Sequence, residues 1–448
     1  MSFKAVVLAA GEGRRMRSRQ PKVLHKIAGE PMVKHALRAL EGLAPDEVVL
    51  VVGYGAEEVR RTLGGGYTYA EQKEQLGTAH ALLQAKEALE STSDTVLVLY
   101  GDGPLIRTET LARMIEYHGE RGATLTLLTH RTSGPSDFGR VIREDGRVRA
   151  VVEEALASEA QKKIEEINCG LYCFQGDWLW AALPKIELSE RGEYYLTDIV
   201  AMAAEEGVSI GTFEVEDSEE VLAINNRLQL AQAEAIMRRR ILQELMLRGV
   251  SIIDLASTFV EAGVSVGEDT VIHPGSVIQG KTKIGRECII GPYSILREAM
   301  VGDSCKVLYS VIEEATLEGG VNIGPFSHLR PGAHLGQGVH IGNFAEVKNS
   351  QLGAGVNVSH FSYLGDATIG PGANIGAGTV TCNFDGKRKH RTTIEEGAMI
   401  GSDTMLIAPV TVGARAMTGA GSVVTKDIPP ETLALGVPAR VKRKIRDE

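Results

Sequence analysis

The sequence predicts a chain of two unlike halves. The first is an α/β half on a mostly parallel, helix-covered sheet, and the second is a parallel β-helix of six-residue repeats, with a helix joining them. Three observations predict this. Apolar β-runs at Ala5–Ala9, Glu47–Gly53, Thr95–Tyr100 and Thr124–Thr129 alternate with helical patterns such as Pro31–Leu43 and Thr108–Arg121, the rhythm of helix-covered parallel sheets. Residues 226–248 carry apolar positions at three- and four-residue spacing and stop at Gly249, as a connecting helix would. Beyond it, Val260, Val266, Ile272, Ile278, Ile284, Ile290 and Leu296 stand six apart, the period of a coil whose aliphatic residue points inward and stacks on the next.

The domains read as 1–225, a linker helix 226–248, and 249–448. After a one-residue slip the beat resumes at Val301 and Val307, then runs through Leu317, Ile323, Leu329, Leu335, Ile341 and Val347. It returns at Val358, Leu364, Ile369, Ile375, Ile394, Ile400, Leu406 and Val412. The basic stretch 382–393 (CNFDGKRKHRTT) interrupts it, and insertions in solenoids map to loops on one face.

Composition narrows the function classes. Hydrophobic residues at 43% support real cores, while aromatics at only 5% beside 51 glycines suit α/β units and Gly-punctuated turns better than a sandwich. A net charge of −10 argues against broad nucleic-acid binding, so local basic clusters call for small anions. No apolar run nears the roughly 20 residues that span a bilayer, and the N-terminus lacks a signal-peptide layout. The sequence is therefore expected to be cytoplasmic, with no membrane partner. Cys169, Cys173, Cys288, Cys305 and Cys382 have no metal-type spacing and read as reduced thiols.

The most informative stretch is residues 4–24, KAVVLAAGEGRRMRSRQPKVL. A strand enters a loop with Gly11 and Gly13, and Arg14, Arg15, Arg17, Arg19 and Lys22 follow. Backbone amides of such a loop and of a following helix N-terminus attract anions, and the cations add charge-assisted bonds to phosphate. Met16 stands where a dinucleotide fingerprint needs its third glycine, and no Gly-Lys-Ser/Thr follows for a Walker loop. A plain Gly-rich βα turn with a basic helix start is the bland alternative.

Further candidates lie at strand ends. Asp102, in YGDGP after an apolar strand, suits an oxygen-liking Mg2+ or a simple turn. Asn225 and Asn226 precede the connecting helix and read equally as caps. Gln72, Gln75, Gly77 and Thr78 lie in EQKEQLGTAHA, where an amide could read a base edge or simply be solvated. In the second half Arg330 and Lys348 could clasp a sugar phosphate or be surface charge. His360 could act as a general base or be an ordinary surface histidine.

The order GxGxRM…PKxL resembles the signature of sugar-nucleotide pyrophosphorylases. The ordered set LAAGxGxRM, PKVL, EQLGTAHA, YGDxPL, FGRVI, EINCGLY, GEYYLTD and NNRLQL covers essentially the whole first half. It resembles the uridylyltransferase domain of the bacterial family of bifunctional UDP-N-acetylglucosamine pyrophosphorylase / glucosamine-1-phosphate N-acetyltransferase enzymes. In the second half GPFSHLRPGA, GNFAEVKNS, SHFSYLGD, NIGAGT and TCNFDG resemble, in matching order, the acetyltransferase domain of the same family.

The resemblance implies a Rossmann-like nucleotidyltransferase domain and a left-handed β-helix of hexapeptide repeats. It implies that Arg15 and Lys22 contact the triphosphate of UTP, and that Asp102 and Asn225 hold Mg2+. Ala10, Gly11, Gln72, Gly77 and Thr78 match nucleotide-binding positions. Gly139, Glu153 and Asn168 match contacts to N-acetylglucosamine 1-phosphate, and Glu193 and Thr197 lie in the matching GEYYLTD segment. Arg330, Lys348, Tyr363 and Asn374 match glucosamine 1-phosphate contacts, with His360 as the base. Asn383, Ser402 and Ala420 match positions at acetyl-CoA.

The family is trimeric, so a homotrimer is implied, and its product feeds peptidoglycan and, in some bacteria, lipopolysaccharide. Two departures stand out: Glu12, where the loop often carries a basic residue, and Phe384, where a tyrosine is usual. The C-terminal ALGVPARVKRKIR also differs from some relatives; its Arg440, Lys442, Arg443 and Lys444 either meet CoA phosphates or solvate the tail. Two other functions remain to be separated from this one. One is a sugar-1-phosphate nucleotidyltransferase of other specificity with a structural β-helix. The other is a non-catalytic scaffold, which leaves the coexistence of Arg15, Lys22 and Asp102 unexplained.

Overall fold

The computed structural model describes residues 2–89, 94–133 and 137–444; Ile445 and Arg446 of the basic C-terminal segment lie outside them. Contacts divide the chain into two units, Met1–Met237 and Arg238–Glu448. The division falls inside the connecting helix, Arg227–Leu247, rather than at its ends.

In the first unit, the alternating strands and helices form one sheet. Its order is Ile210–Glu214, Leu125–Arg131, Glu166–Gln175, Thr95–Tyr100, Phe3–Ala9, Glu47–Val52, Thr68–Glu71, with a hairpin Arg140–Glu144/Arg147–Val152 to one side. Phe3–Ala9 sits between two parallel neighbours and is almost wholly buried, which is why it reads as a continuous apolar run. Glu166–Gln175 is antiparallel to both of its neighbours. Its EINCGLY reads in the sequence as a motif rather than as a strand. Because helices cover the sheet, the open space lies beyond the carboxyl ends of its strands, where Ala10 and Gly101 begin their loops.

One expectation fails here. No α-helix N-terminus follows the Gly-rich loop. Arg14–Met16 is a single 3-10 turn between left-handed Gly13 and Arg17, and the next α-helix is Met32–Glu41. The left-handed Arg17 (φ 49°) stops the turn, and Pro21 bars helix from the residue before it. Any anion held here is met by loop amides and side chains, not by a helix dipole.

The second unit is a stack of coils whose short parallel strands form three sheets of 12, 10 and 9 strands, the last strand of the first sheet being the antiparallel Arg440–Lys444. Val271 pairs with Ile289 and Ile289 with Lys306, so the slip in the sequence is a coil one residue shorter. The aliphatic column from Val260 to Val424 forms one core; burying it contributes at about 25 cal/mol per Å2 of apolar area. Ile369 pairs with Ile394 across the insertion, so the loop 383–391, between strands Val380–Cys382 and Thr392–Ile394, bulges out without breaking the stack.

Candidate functional site

The Gly-rich loop, the YGDGP turn and the segment before the connecting helix converge on one ammonium group. Gly13 has φ +67°, and a Cβ there would lie 2.5 Å from Cβ of Lys22; only glycine lets the loop close on the lysine stem. The Lys22 side chain is 11% exposed. Its Nζ pairs with the Asp102 carboxylate and donates to Asn225 Oδ1 at 2.8 Å. Asn225 is beside Asp102 because the amide of Ile224 donates to the Asp102 carbonyl at 3.1 Å.

Two cavities meet at this cluster. The larger, about 500 Å3, is lined by Ala10, Gly11, Arg15, Lys22, Gln72 and Gly77 among others. The smaller, about 280 Å3, is lined by Gly139, Glu153, Asn168, Tyr172 and Thr197 among others. Thr78, Tyr100, Asp102, Glu193 and Asn225 line both, so they form the shared wall.

Several expected site residues are engaged with the protein itself. Gln72 is 3% exposed; its Nε2 donates to the Gly77 carbonyl at 3.0 Å and lies 3.0 Å from Nδ1 of His80. Its amide nitrogen therefore shapes the Gly77–Thr78 loop. Gly77 has φ +103°, and a Cβ there would lie 2.5 Å from the Tyr194 carbonyl oxygen. Thr78 accepts the amide of Leu196 at 2.9 Å, which sews this loop to the GEYYLTD segment. Asn168 is buried and donates to the Tyr172 hydroxyl at 2.7 Å. Arg15 is exposed, with Nη1 3.9 Å from the Asp137 carboxylate. Glu12, the departing loop residue, is paired with Nε of Arg14 at 2.6 Å.

Tyr100 and Tyr195 were missed in the sequence. Tyr100 ends the run TVLVLY, an aromatic with a polar tip at the carboxyl end of a strand. Burial pushes its phenol well up, so it serves as a neutral hydroxyl. Burial likewise raises the Glu153 carboxyl, against the opposing Thr197 hydroxyl that donates to it at 2.8 Å.

That shift has a stability consequence. Below the unfolded-state pKa the protonated Glu153 costs nothing extra. As pH rises towards the higher folded-state pKa the unfolded chain ionises first, and stability is lost. Glu153→Gln is therefore expected to melt above wild type at pH 8, with the difference shrinking as pH falls towards 4. Calorimetric scans across that range check it; a gap that widens on acidification contradicts it.

Among the described residues no group of three His, Cys, Asp or Glu side chains is placed to hold a metal ion. The Asp102 and Asn225 oxygens nevertheless meet at one cation, the Lys22 ammonium. Two protein oxygens completed by phosphate and water oxygens match the usual Mg2+ environment, so these residues fit that ion.

In the second unit the backbone orders the acetyl-site candidates along one corner of the coil. Gly378 N–H donates to the His360 carbonyl, Asp403 N–H to Ala377 and Gly421 N–H to Ser402. His360, Ala377, Ser402 and Ala420 are thus equivalent corners of successive coils. At about 4.8 Å per coil, Ala420 stands roughly 14 Å from His360. His360 ends its strand exposed. Asn374 flanks it on one sheet, receiving a hydrogen bond from Asn357 at 3.0 Å, and Tyr363 flanks it on the next.

Arg330, Lys348 and Gly365 continue one row. Arg330 donates to Glu346 at 2.8 Å. The Lys348 ammonium is pulled down by Lys389 first and then by Arg330, the mark of cations gathered without enough counter-charge. Lys389 was not among the sequence candidates; the basic insertion was its signal. Asn383 is buried and donates to Asp366 at 2.6 Å, while Phe384 is exposed. The C-terminal strand Arg440–Lys444 is exposed throughout and pairs antiparallel with Thr432–Leu435.

Comparison with known proteins fits both halves. Residues 5–179 match the model of the MobA-like NTP transferase domain. Residues 263–298 and 391–426 match the bacterial transferase hexapeptide model of six repeats, consistent with a left-handed β-helix. The bifunctional protein GlmU of Heliobacterium modesticaldum is 46% identical over 445 residues, 99% of this chain and 96% of that one. The chain belongs to the GlmU family. The bifunctional protein GlmU of Brevibacillus brevis is 44% identical over 441 residues, 98% of this chain and 96% of that one. That of Pelobacter propionicus is 45% identical over 445 residues, 98% of this chain and 97% of that one. No helix of this GlmU-family chain, among the described residues, is long and apolar enough to cross a membrane.

Proposed function

We propose that the chain is a bifunctional transferase. Its second unit acetylates glucosamine 1-phosphate with acetyl-CoA, and its first transfers UMP from UTP to the resulting N-acetylglucosamine 1-phosphate, giving UDP-N-acetylglucosamine and pyrophosphate. Membership of the GlmU family supports both activities. The observation that carries the uridylyl half is the wall shared by the two cavities, with Lys22, Asp102 and Asn225 at the junction.

In this reading the larger cavity takes UTP and the smaller takes the sugar phosphate. The phosphate oxygen of the sugar attacks the α-phosphorus in line, and the bond to pyrophosphate breaks. That oxygen is already ionised, so no protein base is needed. Lys22 and Arg15 neutralise charge that builds on the phosphates, and the loop amides near Ala10 and Gly11 hold them in place. Gln72 and Gly77 fix the loop beside the base, while Gly139, Glu153 and Asn168 wall the sugar. Asp102 and Asn225 are the residues that would hold Mg2+, which would supply further neutralisation of phosphate charge.

In the acetyl half, Arg330 and Lys348 hold the sugar phosphate and Tyr363 and Asn374 orient the ring. His360 takes a proton from the 2-amino group as its nitrogen attacks the thioester carbonyl; the C–S bond breaks and CoA leaves as the thiol after reprotonation. The corner row through Ser402 and Ala420, with Asn383, carries acetyl-CoA. The exposed outer faces of the coils suit side-by-side association as a homotrimer, and the reading places the enzyme in the cytoplasm, ahead of peptidoglycan and lipopolysaccharide synthesis.

Incubation with glucosamine 1-phosphate, acetyl-CoA, UTP and Mg2+, with products identified by mass, tests the whole reading. UDP-N-acetylglucosamine, CoA and pyrophosphate are expected. Pyrophosphate without an N-acetylated sugar nucleotide would leave a nucleotidyltransferase with a structural β-helix.

A further inference from the structure

Arg140 is 2% exposed and heads the largest fully buried side chains among the described residues. It opens the hairpin strand Arg140–Glu144, opposite Val152 and beside Ile167. Its guanidinium reaches two segments at once: Nη1 donates to the Phe138 carbonyl, and Nη2 lies 3.0 Å from the Glu154 carboxylate. Phe138, Gly139 and Glu153 line the smaller cavity, so one contact is on a lining residue beside Gly139 and the other is next to Glu153, on opposite sides of the hairpin mouth. Gly139 is packed hard against the second strand, since a Cβ there would lie 2.9 Å from the Val151 side chain. None of the roles assigned above uses Arg140.

A buried guanidinium is costly unless its donors are met. Here its rigid planar fork hydrogen-bonds the Phe138 carbonyl and ion-pairs with the Glu154 carboxylate, a span that the single charged point of a lysine ammonium would not reproduce. We propose that Arg140 is a positioning residue for the sugar-phosphate compartment: by clamping the Phe138 carbonyl to the Glu154 carboxylate it sets the gap between Gly139 and Glu153 in which the hexosamine is read. This rests on the reading of the smaller cavity as the sugar site.

The test is steady-state uridylyl transfer by the full chain, varying N-acetylglucosamine 1-phosphate and UTP separately, for Arg140→Met, Arg140→Lys and Glu154→Gln. Acetyl transfer by the same preparations reports the rest of the molecule. Arg140→Met is expected to raise the sugar-phosphate KM at least tenfold while the UTP KM stays within twofold and acetyl transfer is unchanged. Glu154→Gln should raise the same KM by a smaller factor, and Arg140→Lys should fall between Arg140→Met and wild type. An unchanged sugar-phosphate KM, or an equal rise in both KM values, overturns the proposal. If Arg140→Met does not fold, the other two variants decide it by the same criterion. Glu153→Gln separates the two readings. If it leaves the sugar-phosphate KM unchanged, the cavity assignment is wrong; if it raises that KM while the Arg140 and Glu154 variants do not, only the clamp is wrong.

Discussion

Lys22→Ala is expected to lower kcat/KM for uridylyl transfer by about 10²–10³, equivalent to about 2.7–4 kcal/mol of lost transition-state stabilisation, and to leave acetyl transfer at the wild-type rate. The size of the effect follows from where the ammonium sits. It is largely withdrawn from water between the Asp102 carboxylate and the Asn225 amide oxygen, lining the larger cavity against two residues of the shared wall, where a charge is worth more than at an exposed position. Its removal also leaves Asp102 without its ion-pair partner. Initial rates with each substrate pair check it; unchanged uridylyl kinetics would remove Lys22 from the reacting centre.

His360→Ala is expected to do the reverse. General-base catalysis contributes typically 10²–10⁴-fold, so acetyl transfer should fall by about that factor while uridylyl transfer from supplied N-acetylglucosamine 1-phosphate is untouched. His360 is at the exposed end of its strand, between the rows carrying Asn374 and Tyr363. Truncating it opens no cavity in the aliphatic column, so the coil should melt as in wild type. Loss of acetyl transfer together with a lowered melting temperature would point to a structural role instead.

What could be read from the sequence was what repeats or what is local. The six-residue beat identified the coil because every inward position must be aliphatic to stack, and Val260 to Val412 obeyed that rule. The sequence predicts a connecting helix at 226–248, and the helix runs Arg227–Leu247. What escaped depended on distant residues. Nothing in the order of residues says that Lys22 meets Asn225, or that Gln72 spends its amide nitrogen on Gly77. The helix expected behind Gly13 failed because local charge and glycine pattern do not report the left-handed Arg17. Arg140 was invisible as a candidate: within FGRVI it reads as one more strand residue, and only burial marks it out.

The central claim is that one chain holds two independent transferase sites acting in sequence. Mixing the Lys22→Ala and His360→Ala variants, with labelled glucosamine 1-phosphate, acetyl-CoA, UTP and Mg2+, tests it most directly. Neither variant alone should convert the label to UDP-N-acetylglucosamine at more than a few per cent of the wild-type rate, and the mixture should restore conversion because the intermediate passes through solution. A mixture as inactive as its components, although each retains its other activity, would contradict the account.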